Sequence, residues 1–269
     1  MVETRAHERR GDPNVAVLLT WFLPGAGHIY LGRVMTGFLY FVVLEGLYVL
    51  GWWLTGGRTF EYLDPELQGP FATLLTPEAG NLGAMLMHIM VSGFGASEPV
   101  PFAPLAVLGY TLSALSGTLN LFAACHAHVA ARGAKPARAL HPLVLLTAAW
   151  AVPGLGHWLQ GRRLRAGIVF TLLVGLFVLG TALAAGTNLS RERHFYYWSG
   201  QFLLGLPAIV AEFIGGDARV STELPRLDVG LLYASMAGLL NVLAWLDVFG
   251  VAERRWREAD SVPEGTVSA

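Results

Sequence analysis

The sequence predicts an all-α integral membrane protein. It is read as two tandem, pseudo-symmetric sets of transmembrane helices, each opened by a short helix broken at glycine and proline. Three observations carry this. Charged residues make up 14% of the 269-residue chain and apolar residues 54%, where a soluble domain carries about 25% charge. The charges are segregated and leave long uncharged windows between them. One motif occurs twice, at an offset of 129 residues.

A helix needs about 20 apolar residues to cross a hydrocarbon core of about 30 Å. Met1–Asn14 is a tail with both signs of charge. Twenty uncharged residues follow between Asp12 and Arg33. Pro24-Gly25 interrupts them, so this segment is expected to bend and re-enter. It has no convincing small-residue cleavage site and reads as retained, not as a secretory signal. The window between Arg33 and Arg58 holds one charge, Glu45, and Gly37–Leu54 reads as a spanning helix. Leu105–His128, Gly167–Ala185 and Val229–Val248 read the same way. Asn81–Gly95 and Gly200–Ile214 are shorter and interrupted, and suit spans, re-entrant pieces or interfacial helices. The chain then divides into a tail over 1–14, a first repeat over 15–131, a linker over 132–141, a second repeat over 142–250 and a tail over 251–269. It crosses four or eight times, depending on whether 15–31, 81–95, 142–160 and 200–214 span.

The repeat is explicit. Trp21 begins W-F-L-P-G-A-G-H-I-Y-L-G-R and Trp150 begins W-A-V-P-G-L-G-H-W-L-Q-G-R. Gly46–Gly51 matches Gly175–Gly180 at the same offset, and Gly117-Thr-Leu-Asn120 matches Gly238-Leu-Leu-Asn241 at 121. Basic residues favour the cytoplasmic face. Four crossings put 13 basic residues inside and 5 outside, eight crossings 12 and 6, and inverted halves 10 and 8. The first two arrangements keep the halves parallel, with both termini cytoplasmic. The 17 Arg against one Lys (Lys135) suggest a GC-rich bacterium, and with it the inner membrane.

Net charge is −1, which argues against a nucleic-acid surface. The single cysteine, Cys125, excludes an intrachain disulfide and a cysteine-based metal site. No P-loop, H-E-x-x-H or G-x-S-x-G motif is present, and Gly25-x-Gly27 lacks the strand and third glycine of a dinucleotide site. No catalytic residue, metal or other cofactor is expected. Asn188-Leu189-Ser190 forms a glycosylation sequon, discounted in a bacterial chain.

Five residues form the candidate intramembrane polar set: His28, His157, Glu45, Asn120 and Asn241. Non-helical backbone at membrane depth must be buried in protein or line a wet cavity. His28 and His157 are therefore read either as hydrogen-bonding the freed carbonyls or as a paired site near the pseudo-two-fold axis. Arg33, Arg162, Arg163 and Arg165 are read as capping the turns or contacting lipid phosphate. Glu45, whose repeat-mate is Val174, is a functional candidate by its position in an apolar helix. His28, Arg33 or His126 are its candidate partners. Asn120 and Asn241 are read as interhelical hydrogen-bonding residues. A His126–Asp247 pair across the axis is a further candidate, and a bis-His haem site among His28, His88, His126 and His157 a weaker one. Trp52, Trp53, Tyr62, Tyr196, Tyr197 and Trp198 are placed in an interfacial aromatic belt. Gly167, Gly175 and Gly180 are expected at close helix contacts.

Gly27-His-Ile-Tyr-Leu-Gly-Arg-Val-Met-Thr-Gly37 resembles the turn of the two-helix transmembrane domain family (TM-two-like), and Gly156–Arg162 resembles it less closely. The likeness covers about 40 residues of each half. The acidic-Arg-Phe element of some members is absent here. The resemblance implies no enzyme activity and points to signalling or interaction roles. The leading expectation is a non-enzymatic scaffold or partner subunit of a membrane complex. Its partners are the lipid bilayer and another membrane protein or a second copy, with no nucleic acid. The alternatives are a small transporter or channel, in which His28, His157 and Glu45 converge on one cavity, and a lipid-acting membrane enzyme.

Overall fold

The computed structural model describes residues 11–61, 70–94, 101–133, 140–216 and 223–260, and every regular element among them is helical. The expectations placed on Tyr62, Lys135 and the chain ends beyond 11 and 260 lie outside these residues. The first half runs through α1 (Pro13–Phe22), α2 (Ala26–Tyr30), α3 (Val34–Thr55), α4 (Pro70–Thr73), α5 (Leu82–Ser92) and α6 (Ala106–Ala131). The second runs through α7 (Pro142–Ala151), α8 (Leu155–Leu159), α9 (Arg163–Leu183), α10 (Phe195–Phe202), α11 (Leu206–Gly215) and α12 (Leu227–Asp260). Two 3-10 turns lie at Pro77–Gly80 and Thr187–Leu189. Of these helices α3, α6, α9 and α12 are long and apolar enough to cross a membrane.

The repeated signature has a local physical reading. Asp12 and His141 accept hydrogen bonds from Asn14 N–H (2.7 Å) and Leu143 N–H (3.1 Å), capping α1 and α7, which each start at a proline. Both helices end in an extended residue before Pro-Gly. Gly25 and Gly154 then take φ +80° and +85°, a left-handed turn that a side chain disfavours. The short helices α2 and α8 close identically. Arg33 N–H donates to His28 C=O (2.8 Å) and Gly32 N–H to Ile29 C=O (2.9 Å). Arg162 N–H donates to His157 C=O (2.9 Å) and Gly161 N–H to Trp158 C=O (2.8 Å). This is the Schellman pattern, with glycine at the left-handed position. Backbone bonds close the turn.

The α1–α2 hairpin enters and leaves at one end of α6, because Ala16 and Leu31 pack together against Ala127, Ala130 and Ala131. Its tip reaches Asn120, whose Nδ2 donates to the carbonyls of Thr20 (2.8 Å) and Trp21 (3.3 Å). The same amide donates to Gly80 C=O (3.0 Å), at the bottom of a segment that enters from the other end of α6. There the start of α5 meets the end of α1: a Cβ on Gly83 would stand 2.2 Å from Phe22 C=O. The second half repeats the junction. A Cβ on Gly205, just before α11, would stand 1.9 Å from Trp150 C=O near the end of α7. Asn241 Nδ2 lies 3.1 Å from Leu203 C=O and 3.5 Å from Leu204 C=O beside it. The half-helices α1 and α5 have 10 and 11 residues, and α7 and α11 have 10 each. At about 1.5 Å per residue each stacked pair reaches ~30 Å, the depth that one half-helix cannot cover.

Close helix approach needs small residues at defined heights. A Cβ on Gly51 would meet Gly109 C=O at 2.6 Å where α3 crosses α6, and one on Gly180 would meet Gly230 C=O at 2.7 Å where α9 crosses α12. The expectation for Gly167 and Gly175 is corrected: both face open space, because they sit on the outer side of α9. The halves join through α6, α7, α10 and α12. Phe122 stacks edge-on against Trp150 (6.0 Å) and Trp245 (5.7 Å) between them. They run in the same direction: His128 and Arg132 at the end of α6 both reach Glu253 near the end of α12 (3.3 and 3.0 Å).

Candidate functional site

The polar residues singled out in the sequence fall into separate places. At the bundle end that carries both signatures, His28 Nε2 lies 3.1 Å from His126 Nδ1, and the Tyr40 hydroxyl lies 2.9 Å from the same nitrogen. His126 stacks edge-on against His141, which stacks in turn against Trp256, each at 5.1 Å. In the second half His157 Nε2 lies 3.1 Å from Asp247 Oδ2, which Arg162 also contacts at 2.6 Å. The expected His126–Asp247 pair is therefore corrected. Each of these residues, at the same register of α6 and α12, faces the signature histidine of its own half. The expectation that His28 and His157 bond freed carbonyls is corrected too. Their Nε2 atoms engage side chains, and the asparagines take the carbonyls.

The arginines also differ from the capping expectation. Arg162 reaches Asp247 and Gln160 Oε1 (3.2 Å). Arg163 lies over the Trp158 ring at 5.5 Å, and Arg165 stands 3.8 Å from Asp247 with 65% of its side chain exposed. Arg33 occupies the position before α3 and caps it with no side-chain bond.

Glu45 meets none of the partners named from the sequence. Asn81 Nδ2 lies 3.4 Å from its carboxylate, and the same amide reaches Ser116 Oγ at 3.2 Å, which donates to Leu44 C=O. The other face of Glu45 lines a cavity of about 410 Å³ between α3 and α5, walled by Phe41, Tyr48, Trp52, Met87 and His88. His88 takes up Tyr48 OH (3.3 Å) and Gly57 C=O (3.1 Å). His28, His157 and Glu45 thus belong to three different environments. No group of three His, Cys, Asp or Glu side chains among the described residues is arranged to hold a metal ion.

One cluster carried no advance notice. Glu78, in the Pro77–Gly80 turn, and Arg191, before α10, form an ion pair of 2.8 Å with both side chains fully buried. Ser113 Oγ donates to the same carboxylate oxygen, and Arg191 donates to Thr59 C=O (3.2 Å). The guanidinium lies over Phe195 and Trp198 (4.7 Å each) and Tyr110 (5.2 Å). Trp198, expected in the interfacial belt, is buried as one wall of this cage. Trp53 is exposed at the end of α3. Asn188 is also buried, bonding Gln201 and Thr181. A sequence signal for the pair did exist, in two loop charges of opposite sign, but nothing in their spacing joined them.

The model of a family of unknown function, DUF6677, matches residues 15–139 and again residues 144–258. The chain belongs to this family. No curated protein and no solved structure matches it. The two DUF6677 segments begin 129 residues apart, at the offset of the signature.

Two of the differences between these DUF6677 segments lie beside the signature histidines. Tyr40 stands at the register of Val169, and His126 at that of Asp247. The tyrosine ring lies 4.8 Å from the His28 ring and covers it. At the smaller Val169 a groove of about 580 Å³ lies between α9 and α12.

Proposed function

We propose that the protein is a four-crossing integral membrane protein, without enzymatic chemistry, that serves as a scaffold or partner subunit of a membrane complex. The observation that carries this reading is the dispersal of His28, His157 and Glu45. A transport site at the repeat interface needs them in one hydrated cavity. Instead, Asn120 and Asn241 hold half-helix ends, and each signature histidine ties its hairpin to the long helix of its own half. The buried Glu78–Arg191 pair joins the halves and opposes the rocking that alternating access requires. The broad apolar outer faces of α3 and α9 suit lipid or a partner helix.

Two short half-helix pairs support four crossings over eight. The basic residues at the signature end favour a cytoplasmic placement of that end in a bacterial inner membrane. The resemblance to the two-helix transmembrane family, in its turn and first long helix, fits the interaction role. The test compares His28→Ala, His157→Ala and Glu45→Gln with the parent for folded yield in detergent and for the phenotype of a deletion strain. Yield and function falling together is the expected result for the histidines. Normally folded variants that reproduce the deletion phenotype would establish a working site and refute the reading.

A further inference from the structure

A groove runs between α9 and α12 in the second half. Ile168, Val169, Leu172, Leu176 and Leu240 wall it, and Asp247, His157 and Arg165 close one end. Ile168, Leu172 and Leu240 are exposed, so the groove opens sideways. Its apolar wall runs from Arg165 to Leu176, ~16 Å of helix at about 1.5 Å per residue. That is close to half of a hydrocarbon core of about 30 Å, the depth of one leaflet.

The polar end carries surplus positive charge. Arg162 and His157 already hold Asp247 Oδ2 at 2.6 and 3.1 Å, and Arg165 stands off at 3.8 Å. A guanidinium recognises phosphate through paired N–H donors. An apolar slot one leaflet deep, ending at the exposed Arg165, has the charge and shape of a phospholipid.

We infer that this groove holds an acyl chain of an anionic membrane phospholipid, with the phosphate on Arg165. The inference rests on the membrane-spanning reading above. The first half supplies the comparison: at the register of Val169 it places Tyr40, whose ring packs on the signature histidine His28. Val169→Tyr is thus a filling substitution whose side chain the first half already accommodates.

The experiment uses the full-length chain in detergent and in nanodiscs of phosphatidylglycerol or phosphatidylethanolamine. Native mass spectrometry reads the lipid retained and its affinity. The parent is expected to keep phosphatidylglycerol in preference to phosphatidylethanolamine, and Val169→Tyr to lose it. Arg165→Ala, at an exposed position that leaves folding intact, is expected to weaken retention about fivefold, from about 1 kcal/mol per basic residue at an anionic surface. Parent-like retention in Arg165→Ala overturns the inference, and so does parent-like retention in a folded Val169→Tyr. Equal retention of both lipids by the parent overturns the anionic preference. Alkaline extraction of the parent from membranes is run alongside. Release there refutes the membrane reading itself, whereas a firmly embedded chain with unaltered lipid binding refutes only the groove.

Discussion

Replacing Arg191 with Leu should be the most damaging single change to this fold. The substitution leaves Glu78 fully buried with Ser113 as its remaining donor, and strips Thr59 C=O of the guanidinium. Breaking a buried pair from one side costs about 3–5 kcal/mol, mainly because an uncompensated charge remains. Loss of the guanidinium from three aromatic faces adds to that. A domain of this size loses about 2–4 °C of melting temperature per kcal/mol, so a fall of roughly 10 °C is expected. Thermal unfolding followed by size-exclusion fluorescence in detergent measures it. The double variant Glu78→Leu with Arg191→Leu should recover most of the loss, since apolar replacement of both partners is often neutral. A shift of under about 3 °C for Arg191→Leu, or a double variant no better than the single, would refute the reasoning.

Asn120→Leu should lower the melting temperature more than Asn241→Leu, because Asn120 serves three carbonyls at closer range; each buried carbonyl left bare costs about 1–3 kcal/mol. Equal melting curves for the two variants count against the junction role. Gly51→Leu should force α3 away from α6 at a cost of about 1–3 kcal/mol, whereas Gly175→Leu, facing open space, should stay within about 0.5 kcal/mol of the parent. The readout is the same thermal assay. In a Cys125→Ala background, Met35→Cys and Leu164→Cys should react with an impermeant maleimide from one side of the membrane and Trp53→Cys from the other. Labelling of positions 35 and 164 from opposite sides would show inverted halves.

α3, α6 and α9 were legible because each is an apolar run close to the length that the structure gives it, whereas α12 continues past the expected Val248 through charged residues to Asp260. The signature was legible as a turn because proline and glycine constrain backbone locally. The stacking of α1 on α5 was not, since each is too short to be read as a crossing and their junction joins residues some 60 positions apart. The Glu78–Arg191 pair lies 113 residues apart in two loops of unlike sequence, where no periodicity helps. Gly175 and Gly180 look equivalent in sequence. Only one faces α12, because α9 is apolar on all sides and its pattern does not say which side is inward. The partners of Glu45 were misjudged for a related reason. Its position in the helix was readable, but the turn at Pro77–Gly80 that brings Asn81 to it was not.

Comparing the halves separates what the fold requires from what it does not. Positions that do the same task twice, such as Gly25 with Gly154, Gly32 with Gly161 and Asn120 with Asn241, belong to an architecture in which each half closes a hairpin and seats its end against a second short helix. Positions that match in register but differ in chemistry are free of that duty: Glu45 against Val174, Tyr40 against Val169, His126 against Asp247. Each of the three borders a cavity or a hydrogen-bonded cluster. Val169 lines the α9–α12 groove, so the groove is the place where a substitution such as Val169→Tyr should alter lipid retention while leaving the folded yield unchanged.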